Sequence, residues 1–342
     1  MSGQGLPTAV EPGLPAEPII SKTLPLFTRL QLGARLWAFK IFVVLALGIF
    51  RTVKPSKFQK VAPTYTKKYP VRPTLENRVF IPKHYKSGSK LPLYIDIHGG
   101  GFALCDPQTD DEFCHYFANT FGYCVVSINY RKAPLYPFPE AVHDAAEIAR
   151  AVLVDEDLPV DLSRTAMGGF SAGGNLTLAI AQMDGVREKV KALVPIYPVV
   201  DFSGKYKGEY KPNKQGKPDM LESTSALFNW GYISAQQDRT DPLVSPAFAS
   251  REMLPQKIYF VGAEDDYLCH EANVMAKKLA GFEKLEASNE AWSRKDIRWE
   301  TVPDQQHGFT HVEKKGEEEV QRKRVCSELY ARIAQWLQKE VL

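Results

Sequence analysis

The sequence lacks the features of disulfide-rich, metal-binding and nucleic-acid-binding proteins. It has only five cysteines in 342 residues, an odd number without a C-x-x-C pair. This argues against a disulfide scaffold, a zinc ribbon or a redox pair, and it fits a reducing compartment such as the cytoplasm. The 43 basic residues nearly balance 40 acidic ones, and no basic stripe with interleaved aromatic residues occurs. Nucleic acid is therefore not an expected partner.

Long apolar runs are also scarce, and only one segment raises the question of a membrane. The interval between Arg35 and Arg51 has 15 residues and is interrupted by Lys40. A transmembrane helix needs about 20 apolar residues. We therefore expect an N-terminal helix packed over the cleft of the domain that follows. The alternative is attachment to a membrane through residues 36–50, with a location at the endoplasmic reticulum or another membrane.

From about residue 75, short apolar runs alternate with amphipathic stretches. This alternation predicts a mostly parallel sheet with helices on both faces. The predicted strands cover residues 78–81, 91–97, 123–129, 164–170, 192–197, 257–261 and 297–302, and the predicted helices lie near 110–120, 140–154, 173–183, 270–280 and 318–340.

The composition divides the chain into three parts. Residues 1–25 are rich in proline, glycine and small residues and predict a disordered leader. Residues 26–74 predict an apolar helix and a cap segment, and residues 75–342 predict the main α/β domain. A polar loop followed by a helix, at about 203–240, interrupts the strand rhythm. Insertions of this kind commonly cover the site of an α/β enzyme, so we expect a second part of the cap there.

The most informative motif is Gly169-Phe170-Ser171-Ala172-Gly173, which an apolar strand precedes and a helix-forming stretch follows. This G-x-S-x-G pattern is typical of a nucleophile elbow, a sharp turn that exposes a serine hydroxyl in a cleft. The glycines remove the Cβ atoms that would block the turn and the close packing of helix on strand. Ser171 is therefore the candidate nucleophile.

A second glycine motif, His98-Gly99-Gly100-Gly101-Phe102, follows a strand-like run. It is the HGGG-type sequence whose backbone amides form an oxyanion hole. Acyl transfer places negative charge on a carbonyl oxygen, and donors already aimed at that oxygen stabilise it. We assign the amides of Gly100 and Gly101, with that of Ala172, to this hole. A glycine-rich turn without such a role is the alternative.

A serine nucleophile needs a base, and three histidines follow Ser171 in the sequence. His307 begins a His-Gly-Phe segment after the last predicted strand, which is the expected position of the base in this chain order. His270 is expected to be structural. His307 and His311 could ligate a metal together only if their loop were helical, but Gly308 lies between them and no third ligand is evident. We predict no metal.

The acid that orients the base is expected after the strand at 257–261. Glu264, Asp265 and Asp266 all follow this strand, and each could serve on chemistry alone. Asp266, just ahead of a predicted helix, is the preferred candidate. Asp241 precedes the strand and is expected to hold a loop.

These residues together resemble the hormone-sensitive-lipase-like α/β-hydrolases, a group that includes arylacetamide deacetylase and many microbial and fungal carboxylesterases. The resemblance covers roughly residues 75–340, and its motifs follow the order of the family. They are His98–Phe102, Tyr130–Pro134, Pro137–Pro139, Gly169–Asn175, Asp241–Pro246, Asp266–Leu268 and His307–Phe309.

The resemblance implies the α/β-hydrolase fold with a helical cap, and a hydrolase of carboxylic esters that uses no cofactor. It carries over Ser171, Asp266 and His307 as the triad and Gly100, Gly101 and Ala172 as oxyanion donors. It also implies that His98 holds the glycine loop. The chain departs from the family in having Phe170 where members often have aspartate, and His270 where they often have a second acidic residue.

The expected substrate is a small-molecule ester with a short to medium acyl chain, hydrolysed through an acyl-enzyme. Phe102 and Phe170 are expected to line an apolar pocket, together with the cap residues Phe228, Trp230 and Tyr232. Packing of a lid helix explains the cap aromatics equally well. A lactonase or dehydratase of small-molecule biosynthesis, and a binding receptor without hydrolysis, are the alternatives. The intact His-Gly-Phe segment argues against the receptor. The natural substrate and the oligomeric state stay open.

Overall fold

A computed structural model describes residues 18–208, 216–288 and 290–341. Parts of the predicted leader at 1–25 and of the predicted insertion at 203–240 lie outside these residues. Within them, nine strands form a single sheet. In chain order the strands are β1 (Tyr65–Lys68), β2 (Glu76–Phe80), β3 (Leu91–Ile97), β4 (Cys124–Ile128), β5 (Val160–Phe170), β6 (Ala192–Ile196), β7 (Lys257–Ala263), β8 (Trp292–Arg294) and β9 (Ile297–Val302).

The sheet has the strand order β1-β2-β4-β3-β5-β6-β7-β9-β8. From β4 to β9 the neighbouring strands are parallel, and antiparallel pairing is confined to the two edges. Central strands such as β4 and β6 are buried along their whole length. Nearly continuous apolar runs are expected where helices cover both faces of a parallel sheet. The prediction of a mostly parallel α/β fold is confirmed.

The two strands that periodicity does not predict are both at edges. β1 has four residues, which alternate between half-buried and exposed, and β8 has three. Such short runs carry too few residues for an alternation to be recognised. The sheet therefore begins at β1, ahead of residue 75, which is the start that the sequence predicts for the α/β domain.

Helices cover both faces of the sheet. In the described chain they are α1 (Leu26–Val53), α2 (Pro55–Lys60), α3 (Asp111–Phe121), α4 (Glu140–Val152), α5 (Ala172–Ile180), α6 (Met220–Tyr232), α7 (Cys269–Leu279) and α8 (Gly316–Glu340). One core contains buried side chains of α4, α5 and α7. A separate core contains those of α3 and α8. All five cysteines lie in the described part of the chain and are free thiols.

The N-terminal helix α1 has one face on the protein and one face exposed. Leu36 is fully buried, and a Cβ added at Gly231 of α6 would lie 2.5 Å from Leu36 Cδ2. By length and hydropathy, α1 is the single helix of the described residues that could cross a membrane. Its exposed large apolar residues are Leu26, Phe27, Leu30, Trp37, Ile41, Phe42, Val44, Leu45, Ile49 and Val53.

The carboxyl ends of the parallel strands place several loops at one edge of the sheet. The glycine loop follows β3, the G-x-S-x-G turn joins β5 to α5, and further loops follow β7 and β9. Ligands bind at this edge in open α/β sheets, because loops from separate strands meet there. All the sequence motifs identified above for chemistry lie on these four loops.

Gly173 permits the close approach of α5 to β3, and its replacement tests this packing. A Cβ added at Gly173 would lie 1.8 Å from the Ile97 carbonyl oxygen. Gly173→Ala is expected to lower the free energy of unfolding by about 1–3 kcal/mol or more. This would be measured as a lower thermal unfolding midpoint. Gly48→Ala is the matched control, because nothing lies within 4 Å of the added methyl group. Equal midpoints for the two variants would contradict the close-packing argument.

Candidate active site

Three side chains from distant parts of the sequence meet at the carboxyl edge of the sheet. His307 Nε2 lies 2.8 Å from Ser171 Oγ, and His307 Nδ1 lies 2.8 Å from Asp266 Oδ2. With the proton on Nδ1, His307 donates to Asp266 and can accept the serine hydroxyl proton on Nε2. The structure thus brings together the three residues that the sequence predicts as nucleophile, base and acid.

Ser171 occupies a strained turn between β5 and α5. Its φ is 55°, a left-handed conformation that costs on the order of 1–3 kcal/mol for a residue with a side chain. Neighbouring glycines permit the turn. A Cβ on Gly169 would lie 2.6 Å from the Gly173 carbonyl oxygen. The backbone crowding explains why this turn requires glycine on both sides of the serine.

The electrostatic surroundings of His307 favour its protonated form. Burial of the imidazole acts to lower its pKa, but the Asp266 carboxylate outweighs this effect and the pKa of His307 lies above its ordinary value of 6.5. Asp219 acts in the same direction. The Asp266 side chain is itself fully buried, and its other oxygen accepts a hydrogen bond from Leu268 N at 2.8 Å.

The other two acidic candidates after β7 contact the loop after β9. Glu264 accepts a hydrogen bond from Asp304 N at 2.9 Å, which holds the loop after β9. Asp265 N donates to Gln305 O at 2.8 Å. Asp241, expected to hold a loop, accepts from Leu243 N at 2.9 Å.

Asp219 is a site residue that the sequence reasoning missed. It precedes α6, where one carboxylate oxygen accepts from Leu221 N at 2.7 Å and the other accepts from His307 N at 2.9 Å. The Asp-x-x-Glu pattern over residues 219–222 is a helix N-cap signal. The pattern could predict the start of α6, but not its contact with the loop of the base.

Glu271 is a second missed residue, and it follows the unusual His270. Its carboxylate accepts from Val200 N at 2.8 Å and from Asp201 N at 3.2 Å. Burial raises the pKa of Glu271 to about 8. His270 is exposed. Glu271 of α7 therefore holds the loop after β6 by hydrogen bonds to its backbone. It lies one position after His270, where the chain departs from the family pattern.

The glycine loop after β3 lies directly against the turn that carries Ser171. A Cβ at Gly99 would lie 2.9 Å from Phe170 O and 3.5 Å from Ser171 Cβ. Gly100 and Gly101 have φ of 109° and 59°, and the Gly100 carbonyl accepts from Leu104 N at 2.8 Å. These left-handed conformations are readily adopted only by glycine.

His98 and Tyr130 hold the start of this loop. The buried His98 ring stacks on Tyr130 with centroids 4.4 Å apart, and His98 Nδ1 lies 2.7 Å from Gly99 O. Tyr130 OH donates to His98 O at 3.1 Å. Burial keeps the pKa of His98 well below its ordinary value, so the ring stays neutral. The predicted supporting role of His98 agrees with these contacts.

A cleft of about 370 Å³ opens beside Ser171. Ser171, Ala172, Gly101 and Phe102 line one side, and residues of α6, among them Phe228, line the other. A larger cavity of about 540 Å³ lies between α1, α3 and α8, but Ser171 does not line it. The smaller cleft is the one that a substrate of Ser171 would enter.

The prediction that Phe170 lines the substrate pocket is wrong. Phe170 is buried in the core on the α3 and α8 face of the sheet, with its ring 5.0 Å from that of Phe113. Side chains alternate between the faces of a strand, and the end of β5 directs this ring away from the cleft. Phe102 does line the cleft, and its ring stacks on Tyr232 at 3.7 Å.

The cap aromatics divide between the two roles expected for them. Phe228 lines the cleft and lies against Gly101, where an added Cβ would be 2.7 Å from Phe228 Cγ. Trp230 packs on α1, near Gly33. Tyr232 is fully buried. Only Phe228 of these three lines the cleft.

His311 does not act beside His307 as a second charged group. Its Nε2 lies 3.0 Å from Asp110 Oδ1, and its Nδ1 lies 2.7 Å from Thr310 Oγ1. Burial lowers the pKa of His311 to about 4 and raises that of Asp110 well above its ordinary value. Burial therefore disfavours the charged form of each group, although the two atoms lie within ion-pair distance. Within the described ranges, no cluster of three or more His, Cys, Asp or Glu is arranged to hold a metal ion.

Comparison with known proteins agrees with this architecture. A family profile described as "alpha/beta hydrolase fold" matches residues 94–311. The chain is 31% identical over 184 residues to ethyl acetate hydrolase of Pseudomonas putida, covering 52% of this chain and 56% of that protein. It is 30% identical over 148 residues to human (Homo sapiens) arylacetamide deacetylase-like 2, covering 41% of this chain and 37% of that protein.

A solved esterase structure from Pyrobaculum calidifontis matches nearly the whole chain. The TM-score is 0.69 with 27% identity, and the match covers 94% of this chain and all of that chain. The chain spans about half the length of the curated relatives it matches. The profile match, the strand order and the ordered motifs show that this chain belongs to the hormone-sensitive-lipase-like group of the α/β-hydrolase fold family.

Proposed function

We propose that this protein is a serine carboxylesterase that works through an acyl-enzyme. The observation that carries the proposal is the pair of 2.8 Å contacts of His307, with Ser171 Oγ on one side and Asp266 Oδ2 on the other. His307 takes the hydroxyl proton as Ser171 attacks the ester carbonyl, and it returns the proton to the leaving alcohol. Water then repeats these steps and releases the acid.

The oxyanion of the tetrahedral intermediate is stabilised by the amides of Gly100, Gly101 and Ala172. Gly101 and Ala172 line the cleft beside Ser171. Ala172 is also the first residue of α5, and the first amides of a helix have no partner within the helix. The positive end of the helix dipole adds to the stabilisation of a negative oxygen at this point.

The cleft favours esters with short to medium acyl chains. Its volume of about 370 Å³ lies at the small end of the roughly 300–1,000 Å³ typical of ligand pockets. Phe102 and Phe228 provide apolar walls. The match to an ethyl acetate hydrolase supports the same size range. α1 and α6 form the cap, since α6 lines the cleft and α1 packs on α6.

Replacing the nucleophile tests the esterase proposal. Ser171→Ala should leave at most the residual ~10³–10⁴-fold enhancement over water that an oxyanion hole retains, measured as kcat/KM for p-nitrophenyl butyrate. Ser225 lines the same cleft, so Ser225→Ala is the matched control and should keep most of the activity.

Hydrolysis that survives in the Ser171 variant would disprove the assignment. The same series, from acetate to long-chain esters, tests the substrate range, and a maximum at twelve carbons or more would contradict the short-chain expectation. Failure of the wild-type protein to react with a fluorophosphonate would favour a binding receptor instead.

The activity should fall on acidification because His307 must be neutral to act as a base. Its pKa lies above the ordinary value of 6.5, since the Asp266 carboxylate outweighs the effect of burial. The group is protonated below this pKa, so kcat/KM should rise as pH increases through it. Asp266→Asn should lower kcat on the order of 10⁴-fold and move the acidic limb of the pH profile to lower pH.

The other titratable groups beside His307 include Asp219, His311 and Tyr197, whose ring centroid lies 4.9 Å from that of the imidazole. Asp184 has an exposed side chain, so Asp184→Asn is the control and should leave the pH profile unchanged. An unchanged acidic limb in Asp266→Asn, with a residual rate that can be measured, would contradict the electrostatic argument.

We further propose that the outer face of α1 lies in an anionic membrane surface. The inner face remains on the domain, with Leu36 buried, and the exposed positions of the outer face from Trp37 to Ile49 are all without polar side chains. Residues 26–60 contain no acidic side chain, and four of their basic side chains are exposed and complement anionic lipid headgroups, namely Arg29, Arg35, Lys54 and Lys60. A helix held on its own domain in this way lies in the interface rather than across the bilayer.

A charge on the outer face should weaken this binding. Val44 of α1 and Val320 of α8 are 67% and 70% exposed, so Val44→Asp and Val320→Asp are a matched pair. We expect at least about a ten-fold loss of sedimentation with phosphatidylserine-containing vesicles for Val44→Asp alone. Equal sedimentation of the two variants, or none for the wild type, would overturn the proposal.

A further inference from the structure

Two consecutive residues of α1, Phe39 and Lys40, reach toward the glycine loop. Lys40 Nζ donates to Ala103 O at 2.7 Å and to Ala133 O at 2.6 Å. The Phe39 ring lies 6.1 Å from that of Phe228, which itself lies against Gly101. The helix α1 thus contacts the loop directly through the Lys40 ammonium group, and indirectly through the contact of Phe39 with Phe228.

The two carbonyls that Lys40 joins belong to segments that already support the loop. Ala133 N donates to Phe102 O at 2.9 Å, and Ala103 N donates to Gly100 O at 3.1 Å. Lys40 therefore closes a ring of hydrogen bonds around the residues that follow Gly101. Hydrogen bonds from a charged donor are roughly twice as strong as neutral ones, so this contact is a substantial part of what holds the loop.

The position of Lys40 in the sequence makes this contact informative. It is the one charged residue between Arg35 and Arg51, in a run that is otherwise apolar. A lysine on the outer face could remain in water, but Lys40 is half-buried on the inner face. Its stem crosses from α1 to the loop, and its ammonium is placed where two carbonyl oxygens converge.

We propose that Lys40 is a positioning residue for the oxyanion loop. By joining the Ala103 and Ala133 carbonyls, it holds the amides of Gly100 and Gly101 at the place where the oxyanion forms. The inference rests on the proposed esterase function. It assigns to α1 a part in catalysis besides any membrane contact, because movement of the helix on the domain would move the loop. The effect is on the transition state and not on the affinity for substrate.

Lys40→Met tests the proposal because it keeps an unbranched stem and removes the donors. A displacement of about 1 Å in a catalytic group can cost on the order of 10²-fold in rate, so we expect kcat to fall roughly 10- to 100-fold while KM changes by less than about two-fold. Lys40→Arg retains charged donors and should recover most of kcat. Arg35 is an exposed basic residue on the same helix, so Arg35→Met is the control and should have wild-type kcat and KM.

Hydrogen exchange provides a measurement that does not depend on turnover. Lys40→Met should speed exchange of the amides at 101–104 and 133, while amides of β6 remain protected. If Lys40→Met does not fold, Lys40→Gln replaces it, because its shorter amide cannot reach both carbonyls. Unchanged kcat, or a rise in KM alone, in an active enzyme overturns the role of Lys40 and leaves the esterase proposal intact. A wild-type protein without esterase activity overturns the esterase proposal. Unchanged hydrogen exchange in Lys40→Met would then show that Lys40 does not hold the loop either.

Discussion

The site depends on one imidazole that bridges two oxygen atoms from different loops. His307 contacts Ser171 at 2.8 Å and Asp266 at 2.8 Å, and these three residues follow β9, β5 and β7 respectively. No local interaction along the chain could create this geometry. It requires that parallel strands end at a common edge, and that the loops after them are held to within a fraction of an ångström. The cap contributes too, since Asp219 holds the His307 backbone.

The same requirement explains the close backbone packing around Ser171. The strained φ of the serine persists because α5 approaches β3 so closely that no side chain fits at Gly173. The glycine loop approaches from the other side, at Gly99. Both approaches need glycine for lack of space, and the left-handed loop residues need it for backbone conformation. Ser171 and the amides proposed as oxyanion donors therefore have fixed relative positions, as preorganised electrostatic stabilisation requires.

The sequence predicted those features in which local pattern and chemistry coincide. The G-x-S-x-G turn needs a strand, two glycines and a helix in succession, and all of these are visible over a few residues. The predicted helices and inner strands were recovered because apolar periodicity is strong in buried elements. The strands β1 and β8 were not predicted, because they are short and partly exposed. Asp266 could be preferred over Glu264 and Asp265 only by its position before a helix, since all three carry the same kind of group.

By itself, the sequence determined the identity and order of the candidate reactive groups, because an elbow serine, a glycine loop and a late histidine are each encoded by a few adjacent residues. The tertiary structure decided which neighbours face them. The Phe170 ring lies in the core beneath α3 and α8 and not in the cleft. Asp219 contacts the His307 backbone, and Lys40 contacts the glycine loop. Lys40 and Ala103 are 63 residues apart in the sequence. Contacts of this kind depend on how whole helices pack on the sheet, and no local pattern records that packing.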